Sequence, residues 1–273
     1  MLIDAFSYAS EAQSLPRQLA IRTIERLSGQ PQLKRIYLEY QACDLPYDTF
    51  WQEAISRLDL QMQFHGAPVS AIPKTGPLVV VANHPYGVLD GISVCWLMAQ
   101  VRQDFKILIN RVLCRAPEMA AHVLPVDFDA TPEALATNLA SRKQAHAHLQ
   151  AGGAVIIFPA GAISTTPRLF ARHAVDAQWA PLTGQLIRKT EASVLPVYFD
   201  GQNSPLFQIA SHFSYALRVA LIFHEVRRRM GTPVRGVIGE PLHFTALQGH
   251  LPPRNLARYL QAHVDDLRHR LVD

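Results

Sequence analysis

Residues 77–91 read PLVVVANHPYGVLDG, and this stretch decides the fold. Its first part, residues 77–82, is an apolar and mostly β-branched run, which predicts a strand buried on both faces of a sheet. Pro85 and Gly87 then predict a turn, and a helix is predicted to follow it. A buried strand that passes through a short loop into a helix is typical of α/β proteins with a parallel sheet.

The alternation of strands and helices continues on both sides of this stretch. Further strands are predicted near residues 60–64, 105–109, 154–158, 194–199 and 234–238. Helices are predicted over residues 92–101, 131–150, 182–190, 204–229 and 256–271. This order predicts an α/β fold, with a mostly parallel sheet flanked by helices on both faces. The first sixty residues read as helical, so we predict an N-terminal helical extension (1–60) before a single-core α/β domain (61–273).

The composition excludes the disordered and collagen-like classes. Of the 273 residues, 49% are hydrophobic and 18% are charged, and the 14 glycines follow no period. The formal net charge is +4, and arginine outnumbers lysine by 21 to five. Arginine suits phosphate and carboxylate partners, because its planar guanidinium forms two parallel hydrogen bonds with them.

The apolar content does not predict a membrane span. The chain contains no run of about 20 apolar residues, the length that a spanning helix needs, and it shows no secretory signal. This leaves a peripheral or a soluble protein, and the motifs described below favour a cytoplasmic protein that is peripheral at the inner face of the membrane. The densest basic cluster, Arg227-Arg228-Arg229, fits either a solvated helix end or a contact with an anionic membrane surface. No nucleic acid partner is expected, because the chain has no motif for one.

Cysteine and histidine spacings give no sign of a metal site. Cys43, Cys95 and Cys114 lie far apart and form no CxxC pair, so neither a zinc site nor a disulfide framework is predicted. His146 and His148 have an HxH spacing, but the helix predicted there would direct them to different faces. The sequence therefore predicts no metal.

The candidate catalytic residues, His84 and Asp90, follow the quoted strand. Ligands of open α/β sheets bind beyond the carboxyl ends of the strands. A histidine there can act as a general base, and a carboxylate can orient it and stabilise its imidazolium form. Residues six apart do not share a helical face, so the two must meet across the loop at the start of the helix. The alternative is that Asp90 only caps the helix and that backbone groups satisfy His84.

Residues 83–91, NHPxGxxDG in pattern, resemble the glycerolipid (PlsC-like) acyltransferase superfamily. Most members have four residues between the histidine and the aspartate, whereas five lie between them here, an HX5D spacing that resembles the hemolysin-like aminolipid O-acyltransferase branch. The resemblance implies transfer of a fatty acyl group to a hydroxyl of a lipid acceptor, either a lysophospholipid or an acylated amino acid. The implied donor is an acyl carrier protein or coenzyme A thioester, with no other cofactor.

A second motif, Phe158-Pro159-Ala160-Gly161, resembles the FPEG segment that helps this family to hold its acceptor. Ala160 stands where glutamate is common, which disfavours a glycerol-phosphate acceptor. We expect backbone N–H groups of Gly87 or Gly161 to stabilise the developing oxyanion. The resemblance implies substrate contacts at further positions, with Arg111 suited to a phosphate or carboxylate headgroup: Asn83, Gly87, Arg111, Ser164, Arg168 and Pro196.

Two other functions use the same residues. A lipid hydrolase would employ the same His-Asp pair, although the chain has no GxSxG nucleophile elbow and Ser164 follows no such turn. A non-catalytic lipid-binding module is the second alternative. It is suggested by the altered FPAG segment and opposed by the intact His84 and Asp90.

Overall fold

The computed structural model describes residues 19, 23, 26–114, 116–169, 171–250 and 252–271. The first 18 residues of the predicted extension lie outside this part. The helices are α1 (Gln30–Gln41), α2 (Phe50–Arg57), α3 (Val88–Ala99), α4 (Pro132–Gln150), α5 (Pro181–Thr190), α6 (Pro205–Phe213), α7 (Tyr215–Ala220), α8 (Ile222–Arg229), α9 (Phe244–Leu247) and α10 (Pro253–Asp266). The strands are β1 (Gln61–Gly66), β2 (Leu78–Ala82), β3 (Phe105–Asn110), β4 (Val123–Val126), β5 (Ala154–Ile157), β6 (Ser193–Phe199) and β7 (Pro233–Ile238).

In this part of the chain the strands form one sheet, in the order β1-β7-β6-β2-β5-β3-β4. The strands from β6 to β4 in this order are parallel to one another, so the predicted mostly parallel α/β fold is confirmed. At the other edge, β7 pairs antiparallel with β6 and parallel with β1, which makes the sheet mixed. The reversal was not predicted, because an alternating pattern is the same in either strand direction.

Strand β4 was also missing from the sequence prediction. It is only four residues long and contains Pro125. Proline lowers the strand signal because it cannot donate a hydrogen bond to a neighbouring strand. At the edge of the sheet β4 pairs with β3 alone, and there a proline is tolerated.

Strand β2 lies between β5 and β6, and all five of its residues are buried. Successive side chains of a strand point to opposite faces of the sheet. Val80 therefore packs in one core cluster, which includes residues of α2, α3 and α8. Val79 and Val81 pack in a second cluster with α4, α5 and α10. Helices thus cover both faces of the strand that leads to His84.

Helices α1 and α2 pack on the first of these clusters. Leu33, Trp51 and Ile55 are buried in it, and the Trp51 ring lies 6.2 Å from that of Phe105 in β3, measured between centroids. The part of the extension that the structure describes therefore shares the core of the sheet. The division of the chain at residue 60 stays a prediction.

The single helix predicted over residues 204–229 is wrong, because three helices occupy this range. Ser214 has extended backbone angles (φ −160°, ψ 128°), and its hydroxyl accepts a hydrogen bond of 3.5 Å from the N–H of Leu217 in α7. Serine favours this capping position, which ends α6 and starts the next helix. None of the described helices is both long and apolar enough to cross a bilayer.

Asn83 ties the end of β2 to the end of β6. Its amide nitrogen donates to the carbonyl of Phe199 at 2.8 Å, and its amide oxygen accepts from the N–H of Phe199 at 2.7 Å. Asn83 is 8% exposed, so these bonds lie away from water. These bonds hold the carboxyl ends of β2 and β6 together at the point where the loop that carries His84 begins.

The Asn83→Ala substitution is expected to lower the free energy of unfolding by about 2–4 kcal/mol, since it leaves two buried backbone groups without partners. Urea titration followed by circular dichroism measures this loss. Gln103→Ala is the control, because Gln103 makes one exposed amide-to-backbone bond, and its effect should stay within about 0.5 kcal/mol. Equal effects of the two substitutions would contradict a structural role for Asn83.

Candidate active site

The loop between β2 and α3 turns at Gly87, the N-cap residue of α3. Gly87 has φ +77°, which side chains other than glycine rarely permit, and an added Cβ would lie 2.6 Å from Ile163 Cδ1. Asp90 follows in the first turn of the helix, and its Oδ2 accepts hydrogen bonds from the N–H groups of Tyr86 at 2.8 Å and Gly87 at 2.9 Å. Asp90 is therefore a helix cap, as one of the two sequence interpretations required.

Asp90 also contacts His84, so it caps the helix and pairs with the histidine. His84 Nδ1 lies 3.1 Å from Asp90 Oδ2, at ion-pair distance but out of line for a straight hydrogen bond. The Asp90 side chain is fully buried, whereas that of His84 is 17% exposed. With Nδ1 beside the carboxylate, Nε2 is the ring nitrogen left for a substrate, as a general base requires.

Burial sets the electrostatics of this pair. Complete desolvation raises the pKa of Asp90, while His84 and the two N–H groups act in the opposite direction. The second oxygen, Oδ1, has no hydrogen-bond partner among the described residues. A buried carboxylate with an unpaired oxygen is stabilised by a positive charge beside it. Uptake of a proton by the His84 ring creates such a charge.

A second carboxylate, Asp176, holds His84 from the other side. Asp176 Oδ1 accepts the backbone N–H of His84 at 3.2 Å and the hydroxyl of Ser164, while Oδ2 accepts the indole N–H of Trp179 at 2.9 Å. The N–H of Ser164 in turn donates to the carbonyl of His84 at 2.8 Å. Asp176 therefore connects the loop after β5 to the loop after β2.

Sequence reasoning missed Asp176 because no motif surrounds it. It lies 92 residues from His84, in a segment without regular structure. The one available signal is that Asp176 is the only acidic residue between Glu133 and Glu191. Ser164 was predicted as a substrate contact, and that role stays a prediction; its hydroxyl donates to Asp176.

The FPAG segment lies against the histidine. The rings of Phe158 and His84 are stacked with their centroids 4.1 Å apart. Both predicted oxyanion donors are already engaged, since the N–H of Gly161 bonds to the carbonyl of Phe158 and that of Gly87 bonds to Asp90. The structure therefore gives neither backbone group a free N–H for the oxyanion.

His84 lies in the wall of a cavity of about 620 Å³. This volume falls within the range of about 300–1,000 Å³ that is usual for small-molecule sites. Most of the lining side chains are apolar and come from α1–α3, β3, α7 and α8. Examples are Leu33, Trp51, Ile92, Ile107, Ile222 and Phe223, and Gly87, Phe158, Pro159 and Gly161 line the cavity near His84.

Five predicted substrate contacts are not in the cavity wall, namely Asn83 and Ser164, which are described above, and Arg111, Arg168 and Pro196. Arg111 forms ion pairs with Asp127 at 3.2 Å and Asp129 at 3.3 Å. Arg168 lies on the exposed loop after β5. Pro196 is buried within β6, and its carbonyl accepts the N–H of Gly239. Their roles as substrate contacts stay predictions.

A His-Asp pair in the wall of an apolar cavity can act as a general base on a ligand that has a large apolar part. The acyltransferase family matches residues 7–270, which is nearly the whole chain, so this protein belongs to that family. Two similar proteins are each named lyso-glycine lipid O-acyltransferase. The one from Phocaeicola vulgatus is 22% identical over 222 residues, covering 78% of this chain and 75% of that protein. The one from Bacteroides thetaiotaomicron is 24% identical over 225 residues, covering 78% and 77%.

A solved structure shares the fold. The crystal structure of the 1-acyl-sn-glycerophosphate acyltransferase PlsC from Thermotoga maritima aligns with a TM-score of 0.52 and 16% identity, over 94% of this chain and 100% of that one. At this identity the likeness concerns the fold alone. The predicted resemblance to PlsC-like acyltransferases and to their aminolipid branch is confirmed.

The Asp176→Asn protein is expected to have a kcat of the order of 10- to 100-fold lower, because the amide group cannot accept all three hydrogen bonds and His84 shifts. Steady-state acyl transfer measures kcat and KM, and the tryptophan emission that is lost in a Trp179→Phe protein reports on the indole bond of Trp179. Asp48→Asn serves as control, since Asp48 is exposed and far along the chain. A changed Trp179 emission with unchanged kcat would show that Asp176 is only structural.

Proposed function

We propose that this protein transfers a fatty acyl group from an acyl carrier protein or coenzyme A thioester to a hydroxyl of a lyso-aminolipid. The observation that carries the proposal is the His84–Asp90 pair, 3.1 Å apart, in the wall of an apolar cavity. Membership in the acyltransferase family and the names of the two bacterial relatives support the reaction and the acceptor class. We also propose that the protein is peripheral at the cytoplasmic face of the membrane.

In the proposed mechanism His84 is the general base. Its Nε2 takes the proton from the acceptor hydroxyl while that oxygen attacks the carbonyl carbon of the thioester. The tetrahedral intermediate then collapses, the C–S bond breaks, and the departing thiolate takes the proton back from Nε2. Asp90 contacts Nδ1 throughout, so it holds the ring in place and stabilises the imidazolium that exists between the two proton transfers.

The cavity suits the acyl chain of the donor. A fatty acyl chain has no polar groups beyond its carbonyl, so it gains free energy from every methylene that leaves water. Residues Ile92, Ile107 and Phe223 offer it apolar contacts, and the stacked rings of Phe158 and His84 line the same cavity. A chain seated there would bring its carbonyl carbon towards Nε2.

The acceptor proposed is an acylated amino acid rather than a lysophosphatidate. Ala160 removes the glutamate that is common in the FPEG motif, and Arg111 is held by Asp127 and Asp129. A dianionic phosphate would have to compete with these two carboxylates for the Arg111 guanidinium. A headgroup with a single carboxylate carries one negative charge, so it needs fewer cationic side chains around it.

The hydrolase alternative is not favoured. A serine hydrolase needs a serine hydroxyl that donates to the catalytic histidine. The hydroxyl of Ser164 donates to Asp176 instead, and Ser164 contacts His84 only through a backbone hydrogen bond.

The His84→Ala protein is expected to lose acyl transfer by about 10²–10⁴-fold, because no other group replaces the base. Mass spectrometry of the acylated product, formed from acyl carrier protein thioester and lyso-glycine lipid, measures the rate. Asp90→Asn should lower the rate of acyl transfer by a factor in the same range, since the imidazolium loses its counter-charge. His269→Ala is the control, because His269 is exposed near the C-terminus. Near-normal turnover by His84→Ala would refute the mechanism.

A competition experiment tests the acceptor. Purified protein with one acyl donor and equal amounts of lyso-glycine lipid and lysophosphatidate is expected to acylate the lyso-glycine lipid at least about tenfold faster, a difference that one well-placed charge contact can supply. Mass spectrometry separates the two products. Faster acylation of lysophosphatidate would reject the aminolipid acceptor and leave the acyltransferase chemistry intact. Free fatty acid as the main product would favour the hydrolase.

A further inference from the structure

Helix α6 exposes its apolar residues. Leu206, Ile209 and Phe213 are 53%, 42% and 70% exposed, and their spacing of three and four residues puts them on one face of the helix. The opposite face is buried, with Phe207 in the core under the helix. A surface helix ordinarily turns polar residues outward. A contiguous exposed apolar face of this kind marks an interaction site.

A basic loop runs beside this face. The N–H of Thr166 donates to the Gln208 side chain of α6 at 3.0 Å. Gln202, just before α6, donates to the carbonyl of Arg172 at 3.0 Å and accepts the N–H of Ala174 at 2.7 Å. The Arg168 and Arg172 side chains are exposed on this loop. The apolar face and the two arginines therefore form one surface, which we name the α6 surface.

The charges of the α6 surface have a single sign. The loop 159–175 and the segment 201–217 contain no aspartate or glutamate, although the chain has 22 acidic residues. Asp176 is the next residue of this loop, and its carboxylate is bonded to His84, Ser164 and Trp179 rather than to Arg168 or Arg172. An apolar helix face with arginines at its border matches a bilayer that contains anionic lipids, since acyl chains meet the apolar residues and headgroups meet the arginines.

The basic cluster that the sequence suggested for this role is divided in the structure. The Arg229 guanidinium lies 4.1 Å from the centroid of the Tyr86 ring, and Arg228 pairs with Glu225 at 3.8 Å. Arg227 packs against Gly29. The three side chains therefore do not form one patch, and the role of this cluster at a membrane stays a prediction.

The α6 surface is connected to the catalytic histidine. Ser164, at the start of the basic loop, donates its N–H to the carbonyl of His84 at 2.8 Å. Ile163 lines the cavity, and its carbonyl accepts the Arg218 side chain at 2.8 Å. A bilayer seated on this surface would therefore lie beside the site that its lipid has to enter.

We propose that the exposed face of α6, with Arg168 and Arg172, docks this protein on an anionic lipid bilayer. The proposal rests on the proposed function in one respect, namely that the acceptor is a lipid. A second copy of the chain and an acidic carrier protein are the other possible occupants of this surface. The bilayer is favoured because three large apolar side chains stand in water next to two exposed arginines.

The test uses the purified protein and vesicles of phosphatidylglycerol and phosphatidylcholine. The triple substitution Leu206→Ser, Ile209→Ser and Phe213→Ser is expected to weaken cosedimentation at least about tenfold, because it removes the apolar contact. The double substitution Arg168→Gln and Arg172→Gln should remove most of the difference in binding between these vesicles and vesicles of pure phosphatidylcholine. Amide hydrogen exchange of the unaltered protein should show protection of residues 205–213 when vesicles are added.

The matched control lies on the opposite face of the sheet. Leu135 and Leu139 of α4 are 61% and 54% exposed, and α4 packs on the second core cluster. Replacing both with serine removes two exposed apolar side chains, to be compared with the Leu206→Ser and Ile209→Ser pair in α6, and vesicle binding should not change. Acyl transfer to an acceptor dispersed in detergent reports on the chemistry separately, and the α6 triple variant should retain it.

Several outcomes would overturn the docking proposal. Equal loss of vesicle binding in the α4 control, undiminished binding in the α6 variant, or no protection of residues 205–213 would each do so. A protein that is dimeric by light scattering and becomes monomeric in the α6 variant would assign this surface to self-association. If the α6 variant has a lower kcat/KM for acyl carrier protein thioester and binds vesicles as before, the α6 surface is assigned to the carrier protein. Vesicle binding without acyl transfer to any acceptor would refute the proposed function and leave the docking surface standing.

Discussion

The buried carboxylate of Asp90 is the constraint on which the site depends. An ionised carboxylate without water is costly unless hydrogen bonds and an opposite charge compensate for it. Here the N–H groups of Tyr86 and Gly87 and the His84 ring approach the same oxygen. These contacts require the loop to turn tightly at Gly87, and the turn brings residues six apart in sequence into contact. The carboxylate thus shapes the loop that presents the histidine.

The central position of β2 makes that loop rigid. β2 is hydrogen-bonded to β5 on one side and β6 on the other, so its carboxyl end cannot move independently of theirs. Asn83 adds a bond to the end of β6, and Asp176 adds one to the loop after β5. His84 is consequently fixed from both neighbouring strands, which is the preorganisation that general-base catalysis needs.

The apolar residues of the chain lie in three kinds of environment, namely the core, the cavity and the surface. Two clusters cover the faces of the sheet, a cavity remains within the first, and an apolar helix face is exposed on α6. The cavity lies on the side of the sheet that α7 and α8 cover, and α6 immediately precedes those helices. The space suited to an acyl chain and the surface proposed to meet lipid are therefore built from neighbouring elements.

The sequence by itself determined the α/β class, the central strands and the His84–Asp90 pair. Each of these depends on local signals, namely apolar runs, turn residues and a motif within nine residues. Only the tertiary structure decided the reversed direction of β1 and β7, the break at Ser214 and the contact of Asp176 with His84. Strand direction leaves no mark on an alternating pattern, and a hydrogen bond between residues 92 apart depends on how the intervening elements fold. Such contacts arise from packing, which no short stretch of sequence encodes.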